Sequence, residues 1–151
     1  MATLTVATGN FWADKGALVI PTSVITSEDK HGMFKTAVCQ FPLLERGVLS
    51  ACENNHLVAG GSFTFHLVDA GREVIILGLA KGPEKEASLV SALNSVRGQI
   101  LRQHLAELAL FAPNDMAMKR IREAVKGWPS NVSVRVYGAP KDRGGKNEEP
   151  Y

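Results

Sequence analysis

One short run of apolar residues limits the folds available to this chain more than any other feature. Ala17–Pro21 reads "ALVIP", and a continuous apolar run of this length is typical of a strand that is covered on both faces of a sheet. A sheet with two covered faces needs helices packed above and below it. The rest of the sequence is therefore expected to supply helices between its strands.

Further strand patterns recur along the chain. Thr3–Thr8 and Asn131–Gly138 alternate apolar and polar residues, as strands with one buried face do. Ser62–Asp69 and Glu73–Ala80 flank a turn that contains glycine, and together they predict a β-hairpin. Glu107–Pro113 is a further apolar segment that predicts a strand. With the run described above, the sequence predicts a sheet of about six strands.

Apolar residues at helical spacing predict helices between these strands. Met33–Cys52 has this spacing but is interrupted by Pro42, which divides it into two helical pieces. Gly82–His104 and Asn114–Trp128 show the same spacing. The predicted order is strand, strand, helix, hairpin, helix, strand, helix, strand. This order predicts a three-layer α/β/α fold, with helices on both faces of a mixed sheet.

The size and charge of the chain predict one soluble domain. Its 151 residues suit a single domain over residues 1–140, followed by a flexible, charged tail over residues 141–151. The net charge of +2 is too small to indicate nucleic-acid binding by bulk electrostatics. No apolar run is long enough to cross a bilayer, and the N-terminus lacks the pattern of a signal peptide. We therefore expect a cytoplasmic protein without membrane contacts.

The cysteines and histidines show no metal-binding pattern. The two cysteines, Cys39 and Cys52, form no C-x-x-C pair, and the four histidines lack the paired spacing of zinc sites. We therefore expect neither a metal nor a cofactor.

The loops that follow the predicted strands are the expected ligand site, because open α/β sheets bind ligands outside the carboxyl ends of their strands. They are Gly9–Asp14, Thr22–Gly32, Lys81–Lys85 and Ala112–Asp115. The second loop runs into "KHGMFKTAV" (Lys30–Val38), where a glycine between two lysines begins a helix. Backbone N–H groups at such a start suit an anion. Alternatively, the glycine only begins the helix and the lysines are solvated.

Four segments carry landmarks of a known family: "VATGNFW", "ALVIPTSV", "HGMFKTAVCQF" and "SFTFHLVDAGREVIILGLAKG". They resemble the first strand and turn, the second strand, the glycine-rich loop with its helix, and the lysine-terminated hairpin of the macrodomain, a module that binds ADP-ribose. The resemblance covers about residues 4–140. It lies nearest the branch of terminal ADP-ribose protein glycohydrolases and of antitoxins that remove ADP-ribose from DNA. The compact form suits a phage or bacterial protein that counters or uses ADP-ribose signalling.

The resemblance implies a cleft for ADP-ribose, either free or attached to a modified protein or nucleic acid. The residues that it places against the ligand are Asn10, Phe11, Ser23, His31, Gly32, Met33, Phe34, Pro113, Asn114 and Tyr137. It also implies that Lys81 is a nucleophile on the distal ribose and that Asp115 is the assisting acid. The corresponding reactions are removal of ADP-ribose from a macromolecule and dephosphorylation of ADP-ribose 1″-phosphate.

Three departures from the family pattern support a second hypothesis. Asn10 stands where the family usually has an aspartate that reads the adenine amino group, and Ser23 stands about where it often has an asparagine. The segment "LFAPNDMAMK", which corresponds to the second phosphate loop, is several residues shorter and contains no glycine. The second hypothesis is a degenerate macrodomain-like module that acts through protein contacts without nucleotide binding.

Several of the implied site residues also have structural alternatives. The ring of Phe11 can belong to the core, Lys81 can be a solvated lysine at a strand end, and Tyr137 can be an ordinary half-exposed strand residue. Asn10 can form a simple Gly-Asn turn. Either Asn114 or Asp115 can cap the following helix, and for Asp115 we favour this N-cap role over catalysis, because shortening of the loop moves this residue.

Overall fold

A computed structural model describes residues 2–23 and 32–138 of the chain. The strands are β1 (Thr3–Ala7), β2 (Ala17–Ser23), β3 (Ser62–Leu67), β4 (Arg72–Leu79), β5 (Glu107–Ala112) and β6 (Ser133–Gly138). The α-helices are α1 (Gly32–Gln40), α2 (Leu43–Glu53), α3 (Lys85–Gln103) and α4 (Asp115–Val125). Short 3-10 turns span Phe11–Ala13, Val68–Ala70 and Gly82–Glu84. The predicted tail at residues 141–151 and the loop residues 24–31 lie outside the described residues.

The six strands form one sheet in the order β1-β6-β5-β2-β4-β3. Neighbouring strands are parallel except β3 and β4, which form the predicted hairpin. The turn of this hairpin contains Gly71 at φ 64, a left-handed conformation that glycine adopts without strain. The predicted element order and the mixed α/β fold are therefore confirmed.

Helices cover both faces of the sheet. On one face, α3 and α4 pack over one apolar cluster, and on the other face α1 and α2 pack over a second cluster. Val19 of β2 belongs to the first cluster, whereas Leu18 and Ile20 belong to the second, and all three are at most 2% exposed. Burial of alternate residues on opposite faces explains why this strand is a continuous apolar run.

Several strands are shorter than their patterns predict. The first strand ends at Ala7 rather than Thr8, and the third ends at Leu67 because Val68–Ala70 form a 3-10 turn. β5 ends at Ala112, before Pro113, which has no N–H to extend a ladder. β1 is also less buried than its pattern indicates, because it is an edge strand, and its Val6 is 58% exposed.

Polar side chains fix α3 against the edge strand β3. Ser62 and Ser95 share a hydrogen bond of 2.7 Å between their hydroxyls. The hydroxyl of Thr64 donates to Oε1 of Gln99 at 2.6 Å, and Nε2 of Gln99 donates to the carbonyl of Ser62 at 3.2 Å. Because each bond requires its two side chains to lie at the same level, these bonds define the register of the helix along the strand.

Within the described residues, no helix has the length and apolar character needed to cross a bilayer.

The segment before β2 approaches β5 very closely at Gly16. A Cβ atom added at Gly16 would lie 2.8 Å from the carbonyl carbon and oxygen of Glu107, which are backbone atoms of a paired strand. We expect Gly16→Ala to lower the free energy of unfolding by about 1–3 kcal/mol through this overlap. Urea denaturation would measure it.

Gly127→Ala is the matched control for this substitution. The nearest atom to a Cβ at Gly127 is the carbonyl oxygen of Ala124 at 3.7 Å, an ordinary contact. We expect this variant to change the free energy of unfolding by at most about 0.5 kcal/mol. Equal stability of the two variants would show that the close approach at Gly16 imposes no constraint.

Candidate functional site

The predicted ligand loops lie at one edge of the sheet. Because β1, β2, β4, β5 and β6 are parallel, their carboxyl ends share this edge. The last residues of these strands are Ala7, Ser23, Leu79, Ala112 and Gly138. The connections that follow them are those in which the sequence analysis placed the site.

Within this edge the strands β2 and β5 separate, and we call the gap between them the crevice. The β2–β4 ladder contains six residue pairs, from Leu18↔Val74 to Ser23↔Leu79. The β2–β5 ladder contains only Ala17↔Leu108 and Leu18↔Ala109, although both strands continue for several residues. Pairing between the two central strands therefore stops before their carboxyl ends. The connections of β2 and β5 also leave this point in opposite directions along the sheet, as connections do at the switch points where open α/β sheets bind ligands.

The connection after β1 forms a capped turn. Oδ1 of Asn10 accepts a hydrogen bond from the backbone N–H of Trp12 at 3.0 Å, so that Asn10 caps the 3-10 turn Phe11–Ala13. The Asn10 side chain is exposed. Phe11 is 5% exposed, and its ring packs edge-to-face with Tyr137 and Phe111 at centroid distances of 5.9 and 6.4 Å. The ring of Phe11 is therefore core, one of the two alternatives given above.

The predicted anion site is described only from the start of α1. Gly32 is the first residue of this helix, and Ser23 is the last residue of β2. Phe34 is 4% exposed and packs in the core, while Met33 is half-buried beside it. His31 lies outside the described residues. The binding roles of these five residues remain predictions.

The connection after β4 carries the predicted nucleophile. Lys81 is exposed and precedes the 3-10 turn Gly82–Glu84, whose Gly82 has a φ of 72. The Ser88 hydroxyl joins the strand end to α3, since it accepts from the N–H of Ala80 at 2.9 Å and donates to the carbonyl of Lys85 at 2.8 Å. Lys81 therefore follows the carboxyl end of β4, at the edge where the sequence predicts the ligand loops. Its catalytic role remains a prediction.

The connection from β5 to α4 consists of two residues, Pro113 and Asn114. The interpretation of Asp115 as the N-cap is wrong, because Asn114 has the extended backbone of a cap and its Oδ1 accepts from the N–H of Ala117 at 2.9 Å. Asp115 is instead the first helical residue and is exposed. There its carboxylate lies at the positive end of the helix. The shortened, glycine-free connection inferred from the sequence is therefore present.

Asp14, whose side chain is 1% exposed, is not among the site residues predicted from the sequence. Its carboxylate accepts four hydrogen bonds: from the N–H of Gly16 at 2.7 Å, from Nε and Nη2 of Arg135 at 2.7 and 2.8 Å, and from the Tyr137 hydroxyl at 2.6 Å. These bonds, led by those of Arg135, hold the pKa of Asp14 well below its usual value despite burial. Asp14 is therefore ionised throughout the physiological range.

The partners of Asp14 extend its contacts across the sheet. Arg135 also donates to Oε1 of Glu107 at 2.7 Å, and its bonds to Asp14 and then to Glu107 raise the pKa of the guanidinium further. The bond to Asp14 likewise raises the pKa of Tyr137, because it stabilises the protonated hydroxyl. Arg72 of β4 donates to the carbonyls of Trp12, at 3.1 Å, and of Asp14. The connection after β1 is thus hydrogen-bonded to two strands, β4 and β6.

Two further concave surfaces lie away from the carboxyl edge. A cleft of about 410 Å³ at the amino ends of β2, β4 and β5 is lined by Lys15, Arg72 and His104 among others. An apolar groove of about 640 Å³ lies between the α1–α2 turn and the end of β3, beside Leu43 and Val68, which are 66% and 85% exposed. Among the described side chains, no group of three or more histidines, cysteines or carboxylates could hold a metal ion.

The fold has counterparts among solved structures. No family model and no curated protein matches the sequence. Solved structures do match: the macrodomain of Thermus aquaticus DarG has a TM-score of 0.77 at 19% identity, with 93% of this chain and 100% of that chain covered. The Mycobacterium tuberculosis DarG macrodomain has the same TM-score and coverage at 14% identity. The chain has the macrodomain fold. The predicted resemblance is thereby confirmed at the level of fold.

One further structure with the macrodomain fold holds a ligand. Thermosipho africanus DarTG, in complex with ADP-ribose, matches with a TM-score of 0.75 at 13% identity. The match covers 95% of this chain and 43% of that one. The present macrodomain fold therefore corresponds to one part of that longer protein.

The burial of Asp14 leads to a prediction about stability and pH. Asp14→Asn should lower the free energy of unfolding by about 2 kcal/mol near neutral pH, because the amide replaces one buried acceptor oxygen by a donor and leaves Glu107 as the ionised partner of Arg135. The pKa of Asp14 is lowered in the folded state, so that the unfolded state takes up the proton first. The difference between the wild type and Asp14→Asn should therefore be complete above about pH 5 and shrink progressively below about pH 4.

Urea denaturation at a series of pH values would measure this difference. Glu123→Gln is the control, since Glu123 forms only an exposed ion pair of 3.7 Å with Lys126, and its removal should change stability by less than about 1 kcal/mol. A difference between the wild type and Asp14→Asn that stays constant down to about pH 3 would contradict the assignment.

Proposed function

We propose that this chain binds ADP-ribose, or a related ADP-ribosyl nucleotide, in the crevice between β2 and β5. The observation that carries the proposal is the early end of the β2–β5 ladder at the carboxyl edge of a macrodomain fold. Support also comes from the match to a DarTG structure that holds ADP-ribose. The ligand would be free or attached to a protein or nucleic acid.

The two sides of the crevice suit different parts of such a ligand. The start of α1 at Gly32 supplies backbone N–H groups and the positive end of a helix dipole, which suit the diphosphate. The turn after β1 supplies the exposed amide of Asn10, which suits hydrogen bonds to a base. The Oδ1 atom of that amide already accepts the N–H of Trp12, so that its Nδ2 is the group better placed to donate.

The same crevice would serve a hydrolase that releases ADP-ribose from a modified macromolecule, or one that dephosphorylates ADP-ribose 1″-phosphate. In the first reaction Lys81 would attack the distal ribose and Asp115 would assist. Both residues follow strands that end at the crevice edge. The β5–α4 connection has only two residues, so that it provides few contacts to the distal ribose. Loose positioning of the ribose would reduce the rate of such a reaction.

A module that acts through protein contacts is the alternative function. It is favoured by the short β5–α4 connection, which lacks glycine, and by the apolar groove beside the exposed residues Leu43 and Val68. In this case no nucleotide would raise the melting temperature, because a ligand that binds only the native state must stabilise it.

Ligand binding should depend on the start of α1. We expect isothermal titration calorimetry to detect ADP-ribose binding to the wild type and no binding to Gly32→Glu, because the added carboxylate would repel the diphosphate. Gln40→Glu is the matched control, since it places the same charge at the exposed last residue of α1. It should bind within about twofold of the wild type. Absence of heat from the wild type at millimolar ADP-ribose would exclude the proposed function.

Turnover should depend on Lys81 if the protein is a hydrolase. Lys81→Ala should lower the rate of ADP-ribose release from a modified peptide or oligonucleotide by at least about 100-fold, because the nucleophile is lost. Lys119→Ala replaces an exposed lysine of α4 and should leave the rate unchanged. Liquid chromatography of the released ADP-ribose would measure both. Full turnover by Lys81→Ala would rule out the lysine mechanism and leave the binding proposal intact.

A further inference from the structure

Asp14 is the only charged residue among the buried residues of the described chain. It lies in a connection between two strands, where charged side chains are normally solvated. A carboxylate withdrawn from water is retained only when its hydrogen bonds replace the lost solvation. All four of its hydrogen bonds go to Gly16, Arg135 and Tyr137.

One bond of Asp14 reaches a residue of the carboxyl edge, Tyr137. Tyr137 is the penultimate residue of β6 and pairs with Ala7 of β1 and Phe111 of β5. The Asp14 carboxylate therefore accepts from the Tyr137 hydroxyl at the edge, and the backbone N–H of Asp14 donates to the carbonyl of Phe11, at 3.1 Å, in the turn capped by Asn10. Phe11 of that turn packs against the same Tyr137 ring at 5.9 Å.

We propose that Asp14 is a positioning residue for one side of the crevice, formed by the Asn10 turn and the Tyr137 ring. We call it the base-binding side. Its hydrogen bonds fix the positions of the Tyr137 ring and the Asn10 turn, and Asp14 does not contact the ligand itself. This inference rests on the proposed function.

The geometry determines which group of Tyr137 a ligand can use. The hydroxyl donates to the Asp14 carboxylate, which also binds Arg135, two residues earlier in β6. The hydroxyl therefore points away from the carboxyl end of the strand. The edge therefore presents the ring of this half-buried tyrosine for stacking or edge contact, rather than its hydroxyl. A ring and a turn that are already ordered cost less to immobilise when the ligand binds.

The structure offers a matched control in Glu107. This carboxylate accepts from the same Nη2 atom of Arg135 as Asp14 does, at 2.7 Å, and forms an exposed ion pair of 3.8 Å with Lys15, but it bonds to neither Tyr137 nor the Phe11–Ala13 turn. Glu107→Gln therefore alters the charge balance around Arg135 without releasing the base-binding side. Tyr137→Phe provides the complementary change, because it removes the hydroxyl bond and keeps the ring.

The experiment compares the wild type, Asp14→Asn, Glu107→Gln and Tyr137→Phe with two ligands. Calorimetry measures binding of ADP-ribose, and NMR titration measures binding of ribose 5-phosphate, which lacks the base. We expect Asp14→Asn to weaken ADP-ribose binding by about tenfold and Tyr137→Phe by about threefold, with ribose 5-phosphate changed by less than about twofold. Glu107→Gln should change neither affinity by more than about twofold.

Three results would overturn the inference. They are unchanged ADP-ribose affinity in folded Asp14→Asn, equal losses in Asp14→Asn and Glu107→Gln, and an equal loss of ribose 5-phosphate binding, which would indicate a general structural effect. If Asp14→Asn does not fold, Tyr137→Phe decides, and unchanged ADP-ribose affinity in that variant overturns the inference. Absence of ADP-ribose binding by the wild type would instead remove the proposed function, and this inference with it.

Discussion

The ion pair between Asp14 and Arg135 is the interaction on which the arrangement of this fold depends most. The chain must pass from the carboxyl end of β1 to the amino end of β2, and it does so across one face of β6 and β5 without an α-helix. A connection that crosses a sheet face leaves polar backbone groups that require partners. Arg72 satisfies two of its carbonyls, and the carboxylate of Asp14 joins it to Arg135 and Tyr137.

This connection also accounts for the different character of the two sheet faces. The face beneath α3 and α4 is covered by long helices and is almost entirely apolar over the central strands. The face beneath α1 and α2 is completed near β5 and β6 by the turn at Phe11 and by the ion pair. The crevice between β2 and β5 therefore lies where helical cover gives way to the turn after β1. Apolar packing stabilises the side of the crevice near α1, and the buried carboxylate of Asp14 stabilises the side near the turn after β1.

Much of the fold could be predicted because its elements have local signatures. The run "ALVIP" indicated a central strand, and Leu18, Val19 and Ile20 are indeed buried on alternating faces. Asp14 could not be found in this way, because its partners Arg135 and Tyr137 are 121 and 123 residues away along the chain. Only the pairing of β6 beside β1 and β5 brings them together. A signal that could have found Asp14 is Arg135, which places a charge within the alternating pattern of the last strand.

The two-residue connection between β5 and α4 has a consequence for how this fold can change. Pro113 and Asn114 follow the last paired residue of the strand and precede the helix, and both have some solvent exposure. Lengthening such a junction costs little free energy, because the entropy of loop closure grows only with the logarithm of length. Evolution or protein engineering can therefore insert residues here without disturbing the sheet or α4. The junction is a natural place at which a lineage could gain or lose a substrate-holding loop.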